Sequence, residues 1–424
     1  MKLSNLSQAF IPNRQRKTQA ERLESQLPEH RPGELLVRMR PGFGFAPDGL
    51  SQLGGEVLHR FQFPSQRLTD GGEMLHLRLP QGMSTAEGIL ALSQDPQVAY
   101  AAPNDVIETP ELGKPSRPDD LDPRQWGLDK IHAPQAWGIT HGSRKGPVVA
   151  VFDTGVDEKH PDLKANLWTN PKEKSGNGVD DDHNGYVDDV HGLNPFSKNG
   201  DLTDKYRHGT HAFGIIGAVG NNDKLLTGIN WEAQIMVIKI FDDKGKTDVA
   251  ALARGMEYAA QHGAKVTSHS WGNNTFNPAM LDAFRLNSAL HVCAAGNKGE
   301  NNDEKPIFPA SFELDNVISV ASTDKEDRKA PRSNYGARSV DLAAPGVDIL
   351  STVPEGKIEY MSGTSMAAPH VTGVAALIAT AYPEASSLEI KRRLMESVDK
   401  LENLNGVVAS GGRLNAAAAL ARSV

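Results

Sequence analysis

Four short stretches set side chains able to make and break covalent bonds among small residues. Asp153 follows the apolar run Val148–Phe152, so a carboxylate stands at the carboxyl end of a buried strand, within Asp-Thr-Gly. His208 opens a helical pattern rich in Ala, Gly and Ile, within His-Gly-Thr-His. Asn297 ends Ala-Ala-Gly-Asn, where its amide can donate to a point that backbone N–H groups do not reach. Ser365 lies in Gly-Thr-Ser-Met-Ala-Ala-Pro-His, where a loop turns into a long apolar helix ending near Tyr382. A hydroxyl there sits beside unpaired first-turn amides and the positive end of the helix dipole, which suits a nucleophile whose attack develops an oxyanion. Pro369 would crowd the Ser365 carbonyl in a regular helix and predicts a strained start. Each residue also has an ordinary reading. Ser365 can be an N-cap, Asn297 a turn residue, and His211 and His370 satisfied core histidines.

Two other chemistries fit less well. Asp-Thr-Gly also marks aspartic proteases, but that mechanism needs two such aspartates sharing a proton, and no second Asp-Thr/Ser-Gly occurs. His208 and His211 are three apart with no glutamate between them, unlike the zinc-protease helix.

The elements that must position these residues follow from hydrophobic period. Val148–Phe152, Ala233–Phe241, Ala264–His269, Ala289–Ala295, Val317–Ala321 and Val340–Ala343 are apolar runs. They alternate with helical patterns starting near His208, at Val249–His262, at Pro278–Asn287 and from Ser365. Strands apolar on both faces belong to a parallel sheet covered by helices on either side, with ligands bound beyond the carboxyl ends. The predicted class is α/β, a three-layer parallel-sheet domain over residues 124–424. Ahead of it come strands at Gly33–Arg40, Glu56–Phe63, Glu73–Leu79 and Val98–Ala101, a short helical segment near Leu50 and a helix at Ser84–Ser93. This is the β-α-β-β-α-β order of a small α+β ferredoxin-like unit, over residues 31–105. Residues 1–30 read as a flexible polar lead with at most a short helix around Gln19 to Gln26. Residues 106–123, rich in Pro, Asp, Glu and Lys, read as an exposed linker open to cleavage.

Composition narrows the class further. A net charge of -8, from 45 basic and 53 acidic side chains, carries no nucleic-acid or anionic-membrane signature, and no stretch approaches a transmembrane span. Cys293 is the only cysteine, so packing or bound ions, not an internal disulfide, must supply stability. Lys2, Arg14, Arg16 and Lys17 are followed by no sustained apolar segment, so no secretory signal is legible.

Together, the stretches around Asp153, His208, Asn297 and Ser365 resemble the four signatures of the subtilisin-like serine proteases, thermitase-like members in particular, in the family order Asp, His, Ser. The resemblance runs from about Trp126 to the C-terminus. It implies a serine endopeptidase in which Ser365 attacks the scissile carbonyl, His208 carries the proton and Asp153 orients the imidazole. Asn297 and the Ser365 N–H would hold the oxyanion, with no cofactor needed for the chemistry. Ser270, Trp271 and Gly272 resemble the segment that pairs with extended substrate, with Ala294, Ala295 and Gly296 as the opposite wall. Ala212-Phe213 and Ser268 depart from the family's usual Val-Ala and Asn, which bears on subsite shape. The small N-terminal unit resembles the family's inhibitory propeptide. The implied protein is a self-processed zymogen and a monomer, acting on protein or peptide substrates, with its own propeptide as partner and neither nucleic acid nor membrane. Secretion is implied, a cytoplasmic enzyme being the alternative. The rival reading is a non-cleaving, calcium-stabilised binding protein on the same fold, which would have no chemical need for all four residues.

Asp180, Asp182, Asn184, Tyr186 and Asp188, with Asp189, set oxygen atoms at alternate positions around Gly185, like the first half of a calcium loop. The twelfth position is His191 rather than Glu, so this is not an EF-hand. Crowded carboxylates repel unless a cation offsets them, which favours structural Ca2+ over a solvated acidic turn. Asp162, in His-Pro-Asp-Leu, resembles a second family calcium ligand, with Asn221 in the loop that would complete it.

Overall fold

The apolar runs find one another in the order that their two-faced burial requires. A computed structural model describes residues 13–40, 55–61, 72–108 and 124–421. The described residues begin with α1 (Asn13–Glu24), β1 (His30–Met39), β2 (Glu56–Phe61), β3 (Met74–Arg78), α2 (Thr85–Leu92) and β4 (Val98–Glu108). The four strands form an antiparallel sheet in the order β2-β3-β1-β4. The helical segment expected near Leu50 lies outside the described residues. A capping box starts α2: Ser84 Oγ accepts the Glu87 N–H, and the Glu87 carboxylate accepts the Ser84 N–H. Side chains alternate along β1. Leu35, Val37 and Met39 pack with Leu92 of α2, while Leu36 points into the cluster that fills the large domain.

That domain contains α3 (Trp126–Lys130), α4 (Ala133–Trp137), β5 (Val148–Asp153), β6 (Gly192–Leu193), α5 (His208–Gly217), β7 (Gln234–Lys239), β8 (Lys246–Asp248) and α6 (Val249–Gln261). Next come β9 (Ala264–His269), α7 (Pro278–Leu286), β10 (Leu290–Ala294), β11 (Val317–Thr323), β12 (Leu342–Pro345) and the hairpin β13 (Ile349–Val353) and β14 (Lys357–Met361). The chain closes with α8 (Thr364–Ala381), α9 (Ser387–Glu396), β15 (Asp399–Lys400), β16 (Gly412–Arg413) and α10 (Ala416–Ala421). Nine strands form one sheet in the order β15-β16-β12-β11-β10-β9-β5-β7-β6. All its pairs are parallel except β15 with β16. Alternate residues of β5 show why both faces had to be covered. Ala150 and Phe152 pack with Ala253, Met280 and Phe284 of α6 and α7. Val149 and Val151 pack with Phe213 and Ile216 of α5. Further along that second face, Val266 and Val292 meet Val371 and Val374 of α8. The result is the three-layer α/β arrangement read from the sequence.

The small sheet sits on α6 and α7. Leu36, Phe61 and Met74 enter the cluster that holds Ala250, Ala253 and Met280. Polar contacts fix the register: Asn104 Oδ1 accepts the Ala250 N–H at 2.8 Å, Asn277 Nδ2 donates to Asp105 at 2.7 Å, and the Tyr100 hydroxyl donates to Asp282 at 2.6 Å. β4 extends past Ala101 to Glu108, into the stretch read as linker, because residues 106–108 pair antiparallel with β8. No helix among the described residues is long and apolar enough to cross a membrane.

Candidate active site

Neighbouring parallel strands end on the same side, so the residues just beyond β5, β9 and β10 gather in one place. Asp153 is the last residue of β5, Ser270 comes directly after β9, and Asn297 lies just past β10. Asp153 is buried. Its Oδ1 accepts the Thr154 N–H at 2.8 Å and the His208 Nδ1–H at 2.6 Å. His208 is the first residue of α5, and Gly209 lets that helix abut the Asp153 turn: a Cβ at 209 would stand 2.2 Å from the Gly155 carbonyl oxygen. The Asp153 bond commits the Nδ1 proton, and Nε2 has no hydrogen-bond partner among the described residues. Burial opposes the charged imidazole, but the charge and hydrogen bond of Asp153, with the charge of Asp204, outweigh it and hold the His208 pKa above its ordinary value.

Ser365, also buried, is the second residue of α8, so its N–H belongs to the first-turn amides that have no acceptor inside the helix. Pro369 cannot donate to the Ser365 carbonyl. Ser270 Oγ donates to it instead, at 2.9 Å. The carbonyl that Pro369 leaves without its helical donor is thus satisfied by a side chain from another strand end. In return, Ser365 Oγ donates to the Ser270 carbonyl at 3.1 Å. Asn297 Oδ1 accepts from the Thr364 N–H and hydroxyl, at 2.9 and 3.0 Å, which pins its amide against the start of α8. Its Nδ2 makes no hydrogen bond among the described residues.

The segments at 270–272 and 294–296 run side by side because β9 and β10 are paired. Trp271 is a core aromatic whose indole donates to the Phe152 carbonyl at 3.1 Å, bracing the strand end that carries Asp153. Gly272 lies against Ile307, where a Cβ would meet its Cγ2 at 2.6 Å. Ala294 and Ala295 are buried, and Gly296 has a φ of +111° that only glycine adopts without strain. The two departures from the family pattern serve packing: Phe213 fills the core beside β5, and Ser268 Oγ accepts from the Thr372 hydroxyl at 3.1 Å. His211 donates from Nε2 to the carbonyls of Ile349 and Glu359, and burial pushes its pKa down to about 3. His370 donates to the Met366 carbonyl, and burial pushes it down to about 4. Both are neutral core histidines.

The acidic loop divides in two. Asp180 accepts the N–H groups of Asn184 and Gly185, and Asp188 those of Asn177 and Gly178, so these two carboxylates shape turns. Asn184 Oδ1 accepts the Tyr186 N–H, and the Tyr186 ring is buried. Asp182 and Asp189 converge with Glu173, their oxygens within 4.8 Å of one another. Glu173 Oε2 and Asp189 Oδ1 are buried without a hydrogen-bond partner among the described residues. Burial, with the charges of Asp189 and Asp182, raises the Glu173 pKa. Glu173 escaped the sequence reading because it stands outside the alternating Asp and Asn pattern. Asp162 is buried, accepting from Asn222 Nδ2 and from the N–H groups of Leu225 and Leu226. It is thus Asn222, beside the expected Asn221, whose side chain reaches it.

A parallel sheet clad on both faces carries the buried Asp153–His208 pair at one strand end, with Ser365 at the start of α8. Residues 144–412 match the subtilase family, and the chain belongs to that family as a serine endopeptidase acting on protein substrates. It is 38% identical to thermitase of Thermoactinomyces vulgaris over 299 residues, covering 69% of this chain and 94% of thermitase. It is 35% identical to a thermophilic serine proteinase of Bacillus sp. (strain AK1) over 333 residues, 77% of this chain and 74% of that one. The crystal structure of fervidolysin from Fervidobacterium pennivorans, a keratinolytic enzyme related to subtilisin, superposes with a TM-score of 0.71 at 25% identity. That match covers 93% of this chain and 62% of fervidolysin.

The raised basicity of His208 is directly measurable. Its imidazole should titrate above the roughly 6.5 of a free histidine, and Asp153→Asn should move it downward, as followed by imidazole NMR. The sign for stability is that of a cation gaining a partner. The contribution is fully present below about 6.5 and is lost as pH rises through the raised folded value.

Proposed function

We propose that Ser365 is the nucleophile, His208 the general base and acid, Asp153 its orienting partner, and Asn297 Nδ2 with the Ser365 N–H the oxyanion hole. The observation that carries this reading is the buried 2.6 Å bond between Asp153 and His208, which leaves Nε2 unpartnered. In the resting protein the Ser365 hydroxyl is held on the Ser270 carbonyl. Catalysis then requires it to turn toward Nε2 as substrate binds; loose geometry of this kind is common in unliganded active sites. His208 takes the hydroxyl proton as Ser365 attacks the scissile carbonyl, Asp153 stabilises the imidazolium, and the proton passes to the leaving amine. Water repeats the sequence in reverse to free the acyl group. Ser270, Trp271 and Gly272 would pair with an extended peptide, with Ala294, Ala295 and Gly296 as the facing wall.

The same proposal makes the unit over 31–105 an intramolecular inhibitor and the stretch 106–123 the site of self-processing, ahead of the peptidase domain at 124–424. It is supported by the seat of the small sheet on α6 and α7, with Leu36, Phe61 and Met74 buried between them. Secretion and a monomeric state belong to this proposal on the family resemblance. For Ca2+, the chemistry fits: two unpartnered buried carboxylate oxygens among three converging acids are costly unless a cation meets them. Glu173, Asp182 and Asp189 would hold it, and the ion would supply charge neutralisation to the fold rather than to the reaction.

Ser365→Ala should lower turnover about a millionfold, the magnitude for the equivalent serine of subtilisin, and should remain a single full-length chain by mass spectrometry while the parent cuts itself. Turnover within tenfold of the parent would remove Ser365 as the nucleophile. Asn297→Ala separates chemistry from a turn role: kcat should fall by about a hundred- to a thousandfold with KM nearly unchanged. A lower Tm with normal turnover per titrated site would return Asn297 to the turn. Chelation should lower the Tm by removing a ligand of the native state, and Glu173→Gln or Asp189→Asn should blunt that shift. An unchanged Tm on chelation would remove Ca2+ from this cluster.

A further inference from the structure

We propose that Asp204 is the positioning residue of the active site: it ties the turn after Asp153 to the helix that starts at His208 and places a second negative charge behind that pair. The inference rests on the proposed triad and extends it to a residue that no motif singles out. Asp204 is buried, and every partner of its carboxylate is a donor. Oδ1 accepts the Thr154 hydroxyl at 2.8 Å and the N–H groups of Tyr206 and Arg207 at 2.9 Å. Oδ2 accepts the Thr210 N–H at 2.9 Å and the Thr210 hydroxyl at 2.6 Å. Because the Thr154 proton goes to Asp204, its oxygen is left to accept, and it takes the Gly209 N–H at 2.9 Å. Thr154 is next to Asp153 in the chain and Gly209 next to His208, so this relay clamps the two partners from their far side.

The same carboxylate organises the start of α5. It holds Arg207, which adopts a φ of +69° that a non-glycine residue avoids without support. It also satisfies the first-turn amide of Thr210, which has no acceptor inside the helix. A displacement of about 1 Å at a reacting group costs on the order of a hundredfold in rate, so the loss of this clamp should reach the chemistry without touching substrate. The ionisable groups around His208 are few. Asp153 faces it from β5 and Asp204 from the loop before α5, both favouring the imidazolium. His211, further along α5, is held neutral by burial. Lys239 is buried and bonded to the Thr203 carbonyl, and Arg207 is paired with Glu359. Removing the Asp204 charge should therefore make His208 less basic.

The test compares Asp204→Asn with Thr154→Val by pH profiles of kcat/KM, counting sites with a serine-directed phosphonyl fluoride. Asp204→Asn should lower kcat per titrated site by about tenfold or more, leave KM within about twofold, and shift the acid limb to lower pH. Thr154→Val removes the relay but keeps the charge, so kcat should fall while the acid limb stays in place. A purely structural support would lower Tm and titratable sites without moving the limb. The proposal is overturned if Asp204→Asn keeps kcat within about twofold of the parent or leaves the limb unmoved. Should Asp204→Asn fail to fold, Thr154→Val decides: a fall in kcat upholds the clamp and an unchanged kcat overturns it. Failure of the triad itself would show separately, as labelling at a residue other than Ser365.

Discussion

A carboxylate and an imidazole 2.6 Å apart in the protein interior, those of Asp153 and His208, constrain everything around them. Taking a carboxylate out of water costs several kcal/mol unless geometry and further hydrogen bonds compensate. The fold meets that demand in layers. A parallel sheet brings the carboxylate to a strand end, a glycine lets α5 come close enough, and the Thr154 N–H takes a second lone pair of Asp153. Trp271 braces the same strand end from the neighbouring strand.

The small N-terminal sheet obeys a related constraint. With apolar side chains on both faces of β1, one face covered by α2 satisfies only half of it. The other needs α6 and α7, and the hydrogen bonds of Tyr100, Asn104 and Asn277 decide how the two surfaces register. Apolar area supplies the attraction, and polar pairing supplies the orientation.

Much of this was legible in the sequence wherever a local pattern carried it. β5 was readable because an apolar run ends on a lone aspartate, and α8 because a glycine-threonine-serine turn opens a long run of alanines and valines. The four residues of the site sit on such patterns. What stayed hidden depends on contacts between distant segments. The extension of β4 to Glu108 comes from pairing with β8, and its own composition is that of a linker. Glu173 and Asp204 are single acids in polar turns, indistinguishable from solvated ones until the fold brings partners to them. Asn221 and Asn222 are identical in type, and only the path of the loop decides which reaches Asp162. Pro369 leaves the Ser365 carbonyl without its helical donor, and only the fold shows that Ser270 supplies the bond.

The helix that starts with the nucleophile has no wet side: every residue of α8 from Thr364 to Ala379 is buried. Such a segment cannot fray into solvent by itself, since exposing it means parting the sheet from its covering layer. Its openings are therefore tied to unfolding of the whole domain rather than to cheap local fluctuations. In a solution of enzymes able to digest one another, autolysis of this helix would track the rare, fully opened molecules, leaving the surface loops as the points where self-digestion begins.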